Sequence, residues 1–174
     1  MIEWYASAAV RAQKAGFDAV EVHCAHNYLI AGFLSPYFNQ RTDGYGGSYE
    51  NRTRLMRELL TEVRRRVGPD YPIWVRLDAE EMHTPGGITL EEALQTARLC
   101  EQLGVNAISV SSYARLTRGS DFTDAPIPQK SGAYLEFANA FKRVVRIPII
   151  VAGRIEPEAG AAAIGAGEAD FIAM

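Results

Sequence analysis

Short apolar runs alternate along this chain with longer stretches in which apolar residues recur every three or four positions. The first kind reads as strand buried on both faces, the second as amphipathic helix. Three segments share one form: AQKAGFDAVEV (12–22), CEQLGVNAISV (100–110) and AIGAGEADFIAM (163–174). Each is a helix tail, a glycine, a polar turn residue and a short apolar run. Gly16, Gly104 and Gly167 stand where a helix closes through the left-handed conformation. Two more runs, PIWVRL (72–77) and IPIIVAG (147–153), follow helical segments in the same way.

The helix starts are legible too. Ser48 precedes a segment in which Leu55, Leu59 and Val63 fall on one face. Thr89 with Glu92 has the form of a capping box, and Pro157 suits a first helical turn. The pattern predicts helices over 2–15, 49–67, 89–103, 132–144 and 157–166. It predicts strands over 17–22, 72–77, 105–110, 147–152 and 169–174. Strict alternation means an α/β fold with a parallel sheet, as one domain over 1–174. The segments after the first strand (23–47) and the third (111–131) are long, and the helix-to-strand turns are short. That asymmetry marks the carboxyl ends of the strands as the ligand-binding end.

Composition narrows the classes. Of the 174 residues 48% are apolar and 22% charged, with a formal net charge of −3, which suits a globular protein with a sizeable core. The basic run Arg64, Arg65, Arg66 lies inside a helical pattern and reads as a solvated face, so neither nucleic acid nor membrane is expected as a partner. No apolar run approaches the roughly 18 residues of a membrane span. The start of the chain lacks the apolar core of a signal peptide. Cys24 and Cys100 are far apart and lack metal-ligand spacing, which points to a reducing, cytoplasmic setting. Cys24 reads as a small packing residue.

The chain has three histidines, and two of them, His23 and His26, sit three residues apart at the end of a predicted strand. Two histidines with no third ligand nearby in sequence make a poor zinc site. The surrounding stretch, GFDAVEVHCAHNYLIAGFLSPYFNQRTDGYGGSYENRTR, resembles the core signature of the Old Yellow Enzyme family of FMN-dependent oxidoreductases. WVRLD, NAISVSS, IPIIVAGRI and ADFIAM follow in that family's order, so the resemblance covers essentially the whole chain. It implies a (β/α)8 TIM barrel, with the five predicted strands as the fourth to eighth. A whole barrel takes about 250 residues, so the chain is expected to be a partial barrel. It stops just before the Gly-Arg pair that follows the family's eighth strand.

The resemblance also assigns roles. His23 and His26 match paired donors to the oxygen of an α,β-unsaturated carbonyl substrate, where negative charge develops as hydride reaches the β-carbon. Tyr28 matches the acid that protonates the α-carbon. Arg76 matches the cation beside the flavin ring, and Gly153 and Arg154 match phosphate-side residues. FMN is implied as cofactor and NAD(P)H as co-substrate, with an enone or enoate as the small-molecule partner. Asn27 replaces the family's usual glycine. His83 is expected in a loop, exposed. The segment SSYARLTRG lacks the histidine that some dienoyl-CoA reductases carry there, with Tyr113 a substitute lining residue. RTDGYGGS (41–48) reads as structural: Gly46 and Gly47 are expected to make a tight turn, and Arg41 and Asp43 to tie the long loop down.

Two alternatives accompany this reading. One is a partial barrel that is inactive or dependent on a partner, self-associating through the apolar edges of strands 17–22 and 169–174. The other is a different phosphate-binding barrel enzyme, although no lysine stands at a strand end for Schiff-base chemistry.

Overall fold

The computed structural model of the chain describes residues 1–115, 121–123 and 130–173. In chain order the elements are α1 (Ile2–Lys14), β1 (Val20–Cys24), α2 (Leu29–Leu34), α3 (Tyr49–Arg52), α4 (Arg54–Val67), β2 (Ile73–Met82), α5 (Leu90–Gln102), β3 (Ala107–Arg115), β4 (Asp121–Thr123), α6 (Leu135–Lys142), β5 (Ile149–Ala152), α7 (Pro157–Gly165) and β6 (Phe171–Ala173). The strands β1-β2-β3-β5-β6 lie side by side in that order, every neighbouring pair parallel. This is the expected α/β arc of a (β/α)8 barrel. One addition was not expected: β4 pairs antiparallel with the far end of β3. Part of the long segment 111–131 and Met174, the last residue of the predicted strand 169–174, lie outside the described residues.

The repeated helix–glycine–strand unit has one physical form. Gly16, Gly104 and Gly167 all have positive φ, at 86°, 78° and 73°. Behind each, an amide reaches back five residues: Phe17 N to Ala12 O, Val105 N to Cys100 O, Glu168 N to Ala163 O. That is the Schellman closure, which satisfies carbonyls the helix end leaves open. The polar turn residue then caps a neighbouring strand. Asn106 Oδ1 accepts from Ile73 N at 2.9 Å, and Asp170 Oδ2 accepts from Ile149 N at 2.6 Å.

Each strand turns one face to the helices. Val22 and Cys24, then Ile73, Val75 and Leu77, then Ile108 and Val110, join Leu59 and Leu60 of α4 and Ala97 of α5 in one core. The other face carries no helix among the described residues and is not apolar on β1, where it holds Glu21 and His23. The expectation of an edge strand apolar on both faces therefore fails for β1. A two-residue period is hard to see in so short a run.

Arg64 corrects another expectation. It is no solvated residue: its guanidinium donates to the carbonyls of Gly68, Tyr71 and Gly104 and to Asn106 Oδ1. Arg65 and Arg66 pair with Glu62, and Arg66 with Glu3 as well. The predicted helix 49–67 is two helices, α3 and α4, meeting at Thr53. Thr89 does cap α5, accepting from Glu92 N, while the Glu92 carboxylate pairs with Arg52.

Arg52 also organises the long loop. It is buried, and donates to Leu34 O at 2.9 Å and Gly47 O at 2.7 Å. Around it, Asn39 donates to Phe33 O and Tyr45 O, Asn51 donates to Gly46 O, and Arg41 pairs with Asp43. A Cβ on Gly46 would collide with the carbonyl of Arg41. Removing Arg52 leaves two carbonyls and a carboxylate without their donor, so Arg52→Ala is expected to cost about 3 kcal/mol, in the range for breaking a buried ion pair. Urea unfolding followed by circular dichroism checks this; a loss below about 1 kcal/mol would place the loop's anchor elsewhere.

Candidate active site

Lateral register assembles the site. On the helix-free face, His23 of β1 stands opposite Arg76 of β2, which stands opposite Ser109 of β3. One step toward the carboxyl ends, Asp78 stands opposite Ser111. His23 lies inside β1, which runs on to Cys24, two residues beyond its expected end. Arg76 lies in mid-strand, because β2 continues to Met82. That extension stays paired with β3 past an irregularity between Asp78 and Glu81, and Glu81 N donates to Ile88 O. The buried Glu81 carboxylate accepts from Ser35 Oγ and Ile88 N.

Arg76 Nε lies 3.1 Å from Glu21 Oε1, and Trp74 Nε1 donates to Glu21 Oε2 at 2.9 Å. Glu21 thus steers two side chains of β2 from β1. A permanent cation on this face is costly without such a partner.

The turn after β1 brings three rings together. The ring centroids of His23 and His26 are 5.0 Å apart and edge-on, and those of His23 and Tyr28 are 5.1 Å apart. Ala25 N donates to His23 Nδ1 at 3.3 Å, so in neutral His23 the proton sits on Nε2. His26 is buried, with its Nε2 2.6 Å from Ser111 Oγ. Its own amide donates to Asp78 Oδ2 at 2.6 Å. Tyr28 is 59% exposed beside the His23 ring.

The turn is left-handed at two consecutive residues with side chains, His26 (φ 61°) and Asn27 (φ 53°). Asparagine tolerates this conformation better than most residues, which explains how it can stand where the family's glycine was expected. Gly153 (φ 121°) and Arg154 (φ 52°) follow β5, two strands along from β2. Arg154 is exposed, and its carbonyl accepts from Gly132 N and Ser131 Oγ. The structure therefore gathers His23, His26 and Tyr28, places Arg76 beside His23, and holds Gly153 and Arg154 on a separate loop.

Other expectations resolve simply. Cys24 packs in the core on the helix side, and burial pushes its thiol pKa well up; burial pushes Cys100 up to about 12. His83 is exposed. Tyr113 is buried, with its ring 6.2 Å from that of Phe38. Among the described residues no group of three or more metal-ligating side chains comes together, and no helix is long and apolar enough to cross a membrane. Sequence reasoning missed Glu21, Asp78 and Ser111. The available signal was period two: Trp74, Arg76 and Asp78 alternate with apolar residues, as do Ser109 and Ser111.

A parallel β/α sheet with two histidines and a tyrosine at the carboxyl end of β1, and an arginine in register beside them, has the layout in which barrel enzymes carry their sites. The chain belongs to the NADH:flavin oxidoreductase / NADH oxidase family, whose model matches residues 1–174. It is 42% identical to an NADH oxidase of Thermoanaerobacter brockii over all of this chain and 26% of that protein. It is 35% identical to a cinnamate reductase of Clostridium sporogenes over 99% of this chain and 28% of that protein. Its fold superposes on a 2-naphthoyl-CoA reductase in complex with 2-naphthoyl-CoA with a TM-score of 0.87 at 32% identity, over 98% of this chain and 26% of that one. The chain thus spans about a quarter of the length of these relatives. Membership in this family sets aside the alternative of a different phosphate-binding barrel enzyme.

Two outcomes follow from the geometry. Neither cysteine should react with a thiol reagent at pH 8 in the folded chain, since burial disfavours both thiolates; labelling with and without denaturant, read by mass spectrometry, checks this. At position 27, Asn27→Gly should change stability by less than about 1 kcal/mol, whereas Asn27→Val should cost about 1–2 kcal/mol, because a β-branched residue resists φ near 53°. Thermal unfolding of the two variants separates them.

Proposed function

We propose that this chain supplies the substrate-binding part of an FMN-dependent oxidoreductase acting on the activated C=C bond of an α,β-unsaturated carbonyl compound. Its membership in a flavin oxidoreductase family supports this, as does its similarity to a cinnamate reductase. The observation that carries the reading is the His23–His26–Tyr28 cluster. His23 has its Nδ1 accepting from Ala25 N, which leaves Nε2–H as a fixed donor, and the rings of His26 and Tyr28 flank it.

The residues present fit FMN. Arg76 offers a permanent cation on the helix-free face, suited to an electron-rich ring edge. Gly153, in a conformation open to glycine, lets a phosphate approach the backbone, and the exposed Arg154 beside it pairs with phosphate. FMN held by these residues would supply the hydride chemistry, with NAD(P)H as its reductant. His23 and His26 hold the carbonyl oxygen and stabilise the charge that develops on it. Tyr28, exposed beside the ring of His23, donates the proton to the α-carbon. Two buried, unpaired cysteines suit a reducing compartment, so we place the protein in the cytoplasm.

With the barrel complete and FMN bound, His23→Ala and His26→Ala should each slow reoxidation of the flavin by an enone about 10²-fold, the scale for one oxyanion donor. Flavin reduction by NAD(P)H should change much less. Stopped-flow measurement of the two half-reactions decides, and equal losses in both would overturn the donor role. Arg154→Ala should weaken FMN binding about tenfold or more while leaving the half-reactions of the bound fraction nearly unchanged. A fluorescence titration with FMN measures this, and unchanged affinity would take the phosphate away from Arg154.

A further inference from the structure

Asp78 is buried in β2, in register with Ser111 of β3. A carboxylate in such a place needs donors. Its Oδ2 accepts the amide of His26 at 2.6 Å, and its Oδ1 lies 3.9 Å from His26 Nε2. Its register partner Ser111 reaches the same Nε2 at 2.6 Å, the hydroxyl donating or accepting according to the tautomer. Two neighbouring strands therefore grip one histidine, β2 by its backbone amide and β3 by the ring.

The grip matters because His26 sits at φ 61°, a conformation its Cβ disfavours. Left to itself, the chain would relax toward negative φ and carry the imidazole elsewhere. The short hydrogen bond from the His26 amide to a carboxylate is of the strong, charge-assisted kind that can hold the strained conformation. A donor that stabilises developing charge is effective only if it is in place before the charge appears.

We propose that Asp78 is a positioning residue: it fixes the left-handed backbone of His26, and through that backbone the placement of the imidazole, which Ser111 holds, as a donor to the substrate oxygen. This rests on the reading of His26 as one of the two carbonyl donors. Asp78 touches neither substrate nor flavin in this role. It acts through His26 alone.

The test combines a double-mutant cycle with a spectroscopic readout. In the FMN-loaded protein with its barrel complete, Asp78→Ala should slow flavin reoxidation by cyclohexenone about tenfold to a hundredfold, and flavin reduction by less than about twofold. Asp78→Asn keeps a carbonyl oxygen for the His26 amide and should recover most of the lost rate. In a His26→Ala background Asp78→Ala should add no further loss, because the two residues act as one unit. In the same protein without substrate, the ¹⁵N-resolved amide signal of His26 should move upfield and exchange at least about tenfold faster with Asp78→Ala, and should return with Asp78→Asn. Additive losses in the double variant, or an unmoved His26 amide, would overturn the positioning role. A loss with Asp78→Ala but none with His26→Ala would overturn it too, leaving His23 as the donor. No loss with either variant would instead overturn the donor assignment of His26 itself.

Discussion

A parallel sheet ties the fate of every site residue to a single integer, the register between neighbouring strands. His23, Arg76 and Ser109 share one lateral row because Val22 is opposite Val75 and Ile108 is one strand further on. A slip of one residue between β1 and β2 would turn His23 into the helix-packed core and Val22 out of it. The slip is opposed at both faces. Val22 and Cys24 are fully packed against helices, and Glu21 bridges Trp74 and Arg76 on the other side. The candidate chemistry at the carboxyl ends is therefore set by apolar packing and by one carboxylate, neither of which takes part in it.

Most of the long sequence signature serves the scaffold. Asn39, Asn51 and Arg52 donate to carbonyls of the loop after β1, Arg41 pairs with Asp43, and Arg52 ties the loop to α5 through Glu92. The loop's ordered course is what lets Tyr28 and His26 return to His23. The motif reads as functional because the site's geometry hangs from it, though few of its members face the site.

What was legible in the sequence was whatever depends on local chemistry. The three glycine closures, the strand-helix alternation, the cap at Thr89 and the pair of histidines all follow from neighbours in the chain. What was not legible depends on distant partners. The segment Asp78–Met82 reads as polar loop, yet β2 continues through it, because Asp78 is satisfied by His26 and Glu81 by Ser35 and Ile88. The short helix α2 sits in a segment read as loop. Arg64 reads as surface because its carbonyl partners, up to Gly104, lie on other turns. Among the proposed site residues, proximity of His23, His26 and Tyr28 was predictable from spacing, while the grip of Asp78 and Ser111 on His26 needed the register.

The turn residues that cap the strands have a consequence for how the chain is made. The first amide of β2, on Ile73, is satisfied by Asn106, 33 residues further along, and that of β5, on Ile149, by Asp170, 21 residues further along. Each strand's opening hydrogen bond is thus completed by the unit that follows it. On a ribosome, a freshly emerged β/α unit is a lock waiting for a key still inside the exit tunnel. Every stage of synthesis then carries one unfinished edge, and that edge advances with the growing chain.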